Sequence, residues 1–365
     1  MTGSSTYRGR RNEYVGSELR DGSLASIGNG VRATRRAFLA RAARAGAGGL
    51  ALGLLRCSGP SETAPPTKRV YTIGLVGGIA PLPGPSQEAF LAGLRELGYR
   101  EGEDFQVERR VSAAGEGPGD MRAAAAELGR VRADVILLGG AGLNGSLWYE
   151  VIAGTPVVHP FINAVEIGGP WIQSMAHPGG NVTGIASEVA GLSAKRLELL
   201  RELLPRATRV AHFRPGQPGL EIEEAAQMLG MELRAFGAVS AGQLESAYRE
   251  ATAWGAEAAV LSGWPPYFRQ RGQVVGLAAR EALPTVYPDA GYVASGGLMA
   301  FGANVAEQYR RAAVYVDKIL RGAEPGALPI EQPTKFDLAV NLKTAEQLGL
   351  GFPASILNQA TEVIR

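Results

Sequence analysis

Cysteine is nearly absent: Cys57 is the only one in 365 residues, so the chain cannot form an internal disulfide. Histidine is scarce as well. His159, His177 and His212 are the full set, and none lies at metal-ligand spacing from another His or a Cys, which argues against a metal centre. No G-x-S-x-G elbow and no G-x-x-x-x-G-K-S/T loop occurs, so the usual serine-hydrolase and P-loop chemistries are not expected. No helix-turn-helix pattern precedes the first α/β segment, which removes a repressor reading. No repeat of solenoid length is present. The longest apolar stretch, Ala42 to Leu55, is short for a membrane span and holds Arg44.

What is present fits an ordinary globular chain long enough for two domains: 45% hydrophobic and 20% charged residues. The 50 glycines and 22 prolines follow no period and suggest many strand-to-helix turns. The net charge of +2 hides an asymmetry. Residues 1–56 hold ten Arg, no Lys and three acids, leaving 27 basic and 32 acidic residues for the rest. The body is therefore mildly acidic, which argues against nucleic acid as a partner.

The basic leader carries its own signal. Thr34-Arg35-Arg36-Ala37-Phe38-Leu39-Ala40 resembles the twin-arginine export motif, and the apolar stretch that follows reads as a signal-peptide core. Leu54-Leu55-Arg56-Cys57 resembles a lipobox, with Cys57 as the acylated residue; Arg56 departs from the small residue that pattern wants. Residues 1–57 are thus expected to be a signal peptide, and 58–69, rich in Ser, Pro and Thr, a flexible tether. The expected location is the periplasm, or the outer face of the cell membrane with a lipid anchor at Cys57.

From Val70 onward short apolar runs alternate with amphipathic ones. Strands are expected at Val70–Val76, Asp104–Arg110, Ala133–Leu138 and Pro156–His159, with helices at Ser86–Leu97 and Asp120–Gly129. The alternation then restarts. Strands at Arg209–Phe213, Met231–Phe236, Ala258–Leu261 and Thr285–Tyr287 are interleaved with helices at Gly191–Leu204, Leu220–Leu229, Ala241–Trp254 and Tyr267–Glu281. This order implies an α/β fold of two doubly wound parallel-sheet lobes joined by a hinge. The glycine-rich His177–Gly184 reads as the connector. Residues 70–184 with part of 296–332 would form lobe 1, and 185–295 with part of 333–365 lobe 2. The C-terminal part is expected to finish the sheets of both lobes.

One stretch tempts toward redox chemistry. Gly140, Gly142 and Gly145 spell G-x-G-x-x-G after an apolar strand. Three features count against a dinucleotide site. The glycines are not in the first strand-helix unit. The next strand ends Val158-His159-Pro160 without the expected acid, Glu166 lying beyond it. The following helix is interrupted by Gly154-Thr155-Pro156. A glycine loop at a strand's carboxyl end also lets backbone N–H groups approach a carboxylate, near a positively polarised helix start. Val76-Gly77-Gly78 makes a similar loop.

Several dispersed segments resemble one family. They are Phe90-Leu91-Ala92-Gly93-Leu94-Arg95-Glu96-Leu97-Gly98-Tyr99, His177-Pro178-Gly179-Gly180-Asn181-Val182-Thr183-Gly184, Lys195-Arg196-Leu197-Glu198-Leu199-Leu200, Tyr309-Arg310-Arg311-Ala312-Ala313, and Leu328-Pro329-Ile330-Glu331-Gln332-Pro333-Thr334-Lys335-Phe336. Together they resemble the TrpX-like ABC transporter substrate-binding proteins over residues 70–365. The resemblance implies a type I periplasmic binding protein fold with three hinge crossings. It implies a non-enzymatic binding component that captures a small polar or amino-acid-like ligand for an ABC permease in the inner membrane. It implies neither cofactor nor metal, and a monomer. Relatives often carry hydroxyl residues after the first and third strands. Here Gly77-Gly78-Ile79 and Gly139-Gly140-Ala141-Gly142 stand there instead.

The candidate ligand-binding residues are Gly78, Ile79, Gly140, Ala141 and Gly142 as backbone donors, then Phe161, Asn163 and Ser187 on the first lobe. On the second they are Trp264, with Tyr267 beside it, as aromatic surfaces, and Asp289 as a partner for an ammonium group. Phe161 and Trp264 read equally well as lobe core, and Asp289 as a helix N-cap. The competing functions are an exported NAD(P)-dependent oxidoreductase and a ligand sensor for a membrane kinase.

Overall fold

A computed structural model describes residues 69–365, apart from 78–83, 112–126, 128–129, 131, 140–148, 150–151, 153, 164–165, 188, 217–218, 239–240, 265–266 and 269. The export motif, Cys57 and most of the tether lie outside the described residues, as does most of the helix expected at Asp120–Gly129.

Five strands build the first sheet: β1 (Tyr71–Gly77), β2 (Phe105–Val111), β3 (Val135–Gly139), β4 (Val157–Ile162) and β5 (Val182–Ala186). Their order is β2-β1-β3-β4-β5, all parallel. A parallel sheet is covered on both faces, so its strands read as continuous apolar runs. In β3 alternate residues feed opposite cores: Val135 and Leu137 face one layer, Ile136 and Leu138 the other.

The second sheet has seven strands in the order β12-β11-β10-β9-β8-β6-β7. They are β6 (Arg209–Arg214), β7 (Glu232–Gly237), β8 (Ala258–Leu261), β9 (Thr285–Tyr287), β10 (Met299–Ala303), β11 (Phe336–Asn341) and β12 (Glu362–Ile364). β10 and β11 pair antiparallel, an exception to the all-parallel expectation. β8 splits its side chains as β3 does, Ala258 and Val260 to one core, Ala259 and Leu261 to the other.

The described helices are α1 (Pro85–Glu96), α2 (Leu192–Leu203), α3 (Leu220–Met228), α4 (Ala241–Trp254), α5 (Arg271–Arg280), α6 (Ala290–Ala294), α7 (Val305–Leu320), α8 (Leu342–Gln347) and α9 (Ala354–Gln359). α7 buries Tyr309, Ala312, Ala313, Val316 and Ile319, the three-and-four spacing of one helical stripe. It lays that stripe on α1 and the first sheet.

Two expectations are corrected. The connector read at His177–Gly184 is half strand: Val182–Ala186 is β5, buried throughout. Gly184 hides it in the sequence. Its φ is +147°, and a Cβ there would lie 2.0 Å from the His159 carbonyl oxygen, so glycine lets β4 and β5 approach at an irregular register. The C-terminal part does not finish both sheets. β10, β11 and β12 all join the second, while the first gains α7, because that helix carries the apolar stripe.

The chain passes between the sheets three times: at 187–191, at Asn304 and at 332–335. Each passage joins the carboxyl edge of one sheet to that of the other. β5 ends at Ala186 and leads to the start of α2; β10 ends at Ala303 and leads to the start of α7. The passages are tied together. Asn304 accepts from the Glu307 N–H at 2.7 Å and donates to Asp337 at 2.9 and 3.0 Å. Its own N–H donates to the Lys335 carbonyl, and Ala186 N–H to that of Glu331.

Candidate ligand-binding site

In open α/β folds the usual place for a ligand is the crevice at the carboxyl edges of the sheets. Gly78, Ile79, Gly140, Ala141 and Gly142 lie outside the described residues. The walls are therefore built from the residues around them.

On the first wall β4 and β5 end side by side. Ser187, directly after β5, donates its hydroxyl to Asn163 Oδ1 at 3.2 Å, and its N–H donates to the Ile162 carbonyl at 2.8 Å. Two residues nominated from the sequence thus meet, both half-buried. Glu166 is occupied locally: its carboxylate accepts from the Asn163 N–H at 2.9 Å and closes the turn after β4. Phe161 is half-buried against the lobe core, edge-on to Tyr309 with ring centroids 5.6 Å apart.

Tyr309 is a residue that strand-by-strand reading missed. It comes from α7 and is only 7% exposed. Its hydroxyl reaches the end of β3, where a Cβ on Gly139 would collide with it. Glycine at 139 is what lets the tyrosine oxygen come to the sheet edge. The signal in the sequence was the small residue just before the glycine loop.

On the second wall β8 ends at Leu261, and Ser262 follows with its Oγ buried without a hydrogen-bond partner. Its N–H donates to the Phe213 carbonyl at 3.0 Å, which fixes its place beside the end of β6. Trp264 follows, half-buried and packed on the lobe core. Tyr267 is corrected: it is fully buried, and its hydroxyl donates to the Ala238 carbonyl, so it is core and not a stacking surface. Asp289 follows β9 and caps α6, accepting from the Gly291 N–H at 2.6 Å. Burial pushes its carboxyl above the ordinary range, and the Gly291 hydrogen bond and the Arg271 charge oppose that shift.

A cavity of about 240 Å³ lies beside the passages, lined by Ile185, Asn304, Gln308 and Gln332 among others. Its charged groups are committed to one another. Arg311 donates twice to Glu331, at 2.5 and 2.7 Å, and Lys335 pairs with Glu307 at 2.8 Å. None of the nominated residues lines it, so it belongs to the hinge and not to the crevice walls. Among the described residues no group of three or more His, Cys, Asp or Glu could hold a metal ion. None of the described helices is long and apolar enough to cross a membrane.

Comparison with known proteins gives a consistent result. The family model described as ABC transporter substrate binding protein matches residues 83–364. No curated protein matches the chain. Among solved structures, a conserved domain protein from Vibrio cholerae O1 biovar El Tor superposes with a TM-score of 0.68 at 21% identity, over 81% of this chain and 100% of that one. A Streptococcus pneumonia ABC domain in complex with L-Trp gives 0.70 at 19%, over 81% and 100%. A ligand-free, open substrate-binding protein with adhesive properties from Clostridium difficile gives 0.60 at 17%, over 81% and 99%. These likenesses establish the two-lobed type I periplasmic binding fold.

Proposed function

The chain belongs to the ABC transporter substrate-binding protein family, and from that premise we propose that it captures an amino-acid-like zwitterion between its lobes. Membership makes it the binding component of an ABC transporter, working outside the cytoplasm with a membrane permease. The ligand class is our reading. The observation that carries it is the division of chemistry between the walls. The second wall offers the Asp289 carboxylate to an ammonium group. The first offers a neutral donor, the Asn163 amide nitrogen, oriented by the Ser187 hydroxyl that donates to Asn163 Oδ1, joined by the backbone N–H groups proposed for Gly78, Ile79 and Gly140–Gly142. The L-Trp held by the Streptococcus pneumonia domain supports the same class.

The mechanism proposed is closure without chemistry. The lobes, 70–184 extended to the end of β5 at Ala186 with part of 296–332, and the remainder to 365, would rotate about the three passages. A signal peptide, a lipid anchor at Cys57 and a monomeric state complete the proposal. Thermal unfolding of the full chain tests it against L-amino acids, small carboxylates, nucleosides, sugars and NAD(P). A ligand at a hundred times its dissociation constant adds roughly 2.7 kcal/mol of stability, a rise of a few degrees. A rise with one or more apolar or aromatic amino acids is expected. A rise with NAD(P) alone would restore the oxidoreductase reading.

A further inference from the structure

We propose that the Tyr309 hydroxyl is a specificity-determining donor to the ligand's carboxylate, supplied by α7 in place of a strand-end side chain. The proposal rests on the amino-acid reading above and deepens it. Its starting point is an unsatisfied group. The Tyr309 oxygen makes no hydrogen bond to any described residue, although its ring is packed in the first-lobe core. The oxygen is not among the buried atoms that lack a partner, so it stays accessible with its proton unused among the described residues, and such a hydroxyl calls for an explanation.

Its position supplies one. β3 ends at Gly139, and that residue faces the side of the sheet covered by α7, as Val135 and Leu137 do. Any side chain at 139 would occupy the space of the tyrosine oxygen. The absence of a Cβ therefore brings the hydroxyl to the strand's carboxyl end, directly before residues 140–142. Phe161 holds the ring edge-on from the neighbouring strand and limits its rotation. Asn163 and Ser187 close the same edge one and two strands away.

A carboxylate at that edge would be held by neutral donors, the nearby Glu166 being engaged by the Asn163 N–H. Gly139, Phe161, Asn163, Ser187 and Tyr309 carry no formal charge. A phenol hydroxyl bonding a carboxylate makes a short, charge-assisted hydrogen bond, stronger than a neutral one. It would replace the strand-end hydroxyl that the segment Gly139-Gly140-Ala141-Gly142 lacks. With Asp289 on the opposite wall, a zwitterion would be held at both ends.

Calorimetry on the full chain and on Tyr309→Phe separates the outcomes. The probes are L-tryptophan, L-leucine and their carboxamides, which keep the ammonium group and lose the carboxylate. Tyr309→Phe keeps the ring and its contact with Phe161, and an unchanged melting temperature without ligand verifies that it folds. The expected result is an acid bound about tenfold more weakly by the variant, the size of one hydrogen bond to a charged group, and an amide bound equally by both proteins. Equal binding of the acid by both proteins overturns the proposal and leaves the amino-acid reading standing. So does an equal loss for acid and amide, which would mark a packing role. Failure of the unmodified chain to bind either acid overturns the amino-acid reading itself.

Discussion

His159 and His212 lie in the two sheets with 3% and 2% of their surface exposed. His159 shares a hydrogen bond of 2.9 Å between Nδ1 and the Tyr149 hydroxyl. Neither ring nitrogen of His212 has a partner. Burial lowers both to about 3, and the Arg214 and Arg196 charges add to the effect at His212. In the unfolded chain each would titrate near 6.5. Between these values the unfolded state binds more protons than the folded one, so stability falls as the pH drops below about 6.5. His212→Met removes one of the two groups. Urea titrations at pH 7 and pH 5 should show the variant losing about 2 kcal/mol less than the parent over that interval; equal losses would contradict the assignment. At this scale the sequence was legible where a polar residue directly follows a strand. Asn163 and Ser187 stand directly after β4 and β5, and Asp289 two residues after β9. The position of Tyr309 was not legible, because its place at the edge of β3 depends on a helix that arrives from far along the chain. Tyr267 misled because proximity to a strand end does not fix which way a ring turns.

The elements themselves were mostly readable. Strands buried on both faces read as unbroken apolar runs, and Ala258–Leu261 and Thr285–Tyr287 fall where the pattern puts them. β5 escaped because its central residue is Gly184, which in a sequence reads as a loop. There the close approach to β4, and not strand propensity, decides the residue. Gly184→Ala would place a methyl group on the His159 carbonyl in a backbone region that alanine avoids. We expect it to cost about 3 kcal/mol, combining overpacking and backbone strain, read as a lower urea midpoint. An unchanged midpoint would show that β4 and β5 separate without penalty. The C-terminal elements were misassigned for a different reason. Periodicity shows that a helix such as α7 has one apolar face, but not which sheet receives it.

For the whole molecule, the alternation of strands and helices was enough to give two lobes, and dispersed motifs gave the family. The arrangement of the passages was not legible, since it depends on pairings such as Asn304 with Asp337 and Ile185 with Glu331. Those pairings set the carboxyl edges of both sheets toward a common crevice, and a ligand that touches both edges must draw the lobes together. Small-angle scattering on the full chain measures this directly, without ligand and with the amino acid that raises its melting temperature most. The account predicts a smaller radius of gyration when that amino acid is bound. A stabilising ligand that leaves the radius unchanged would contradict capture between the lobes.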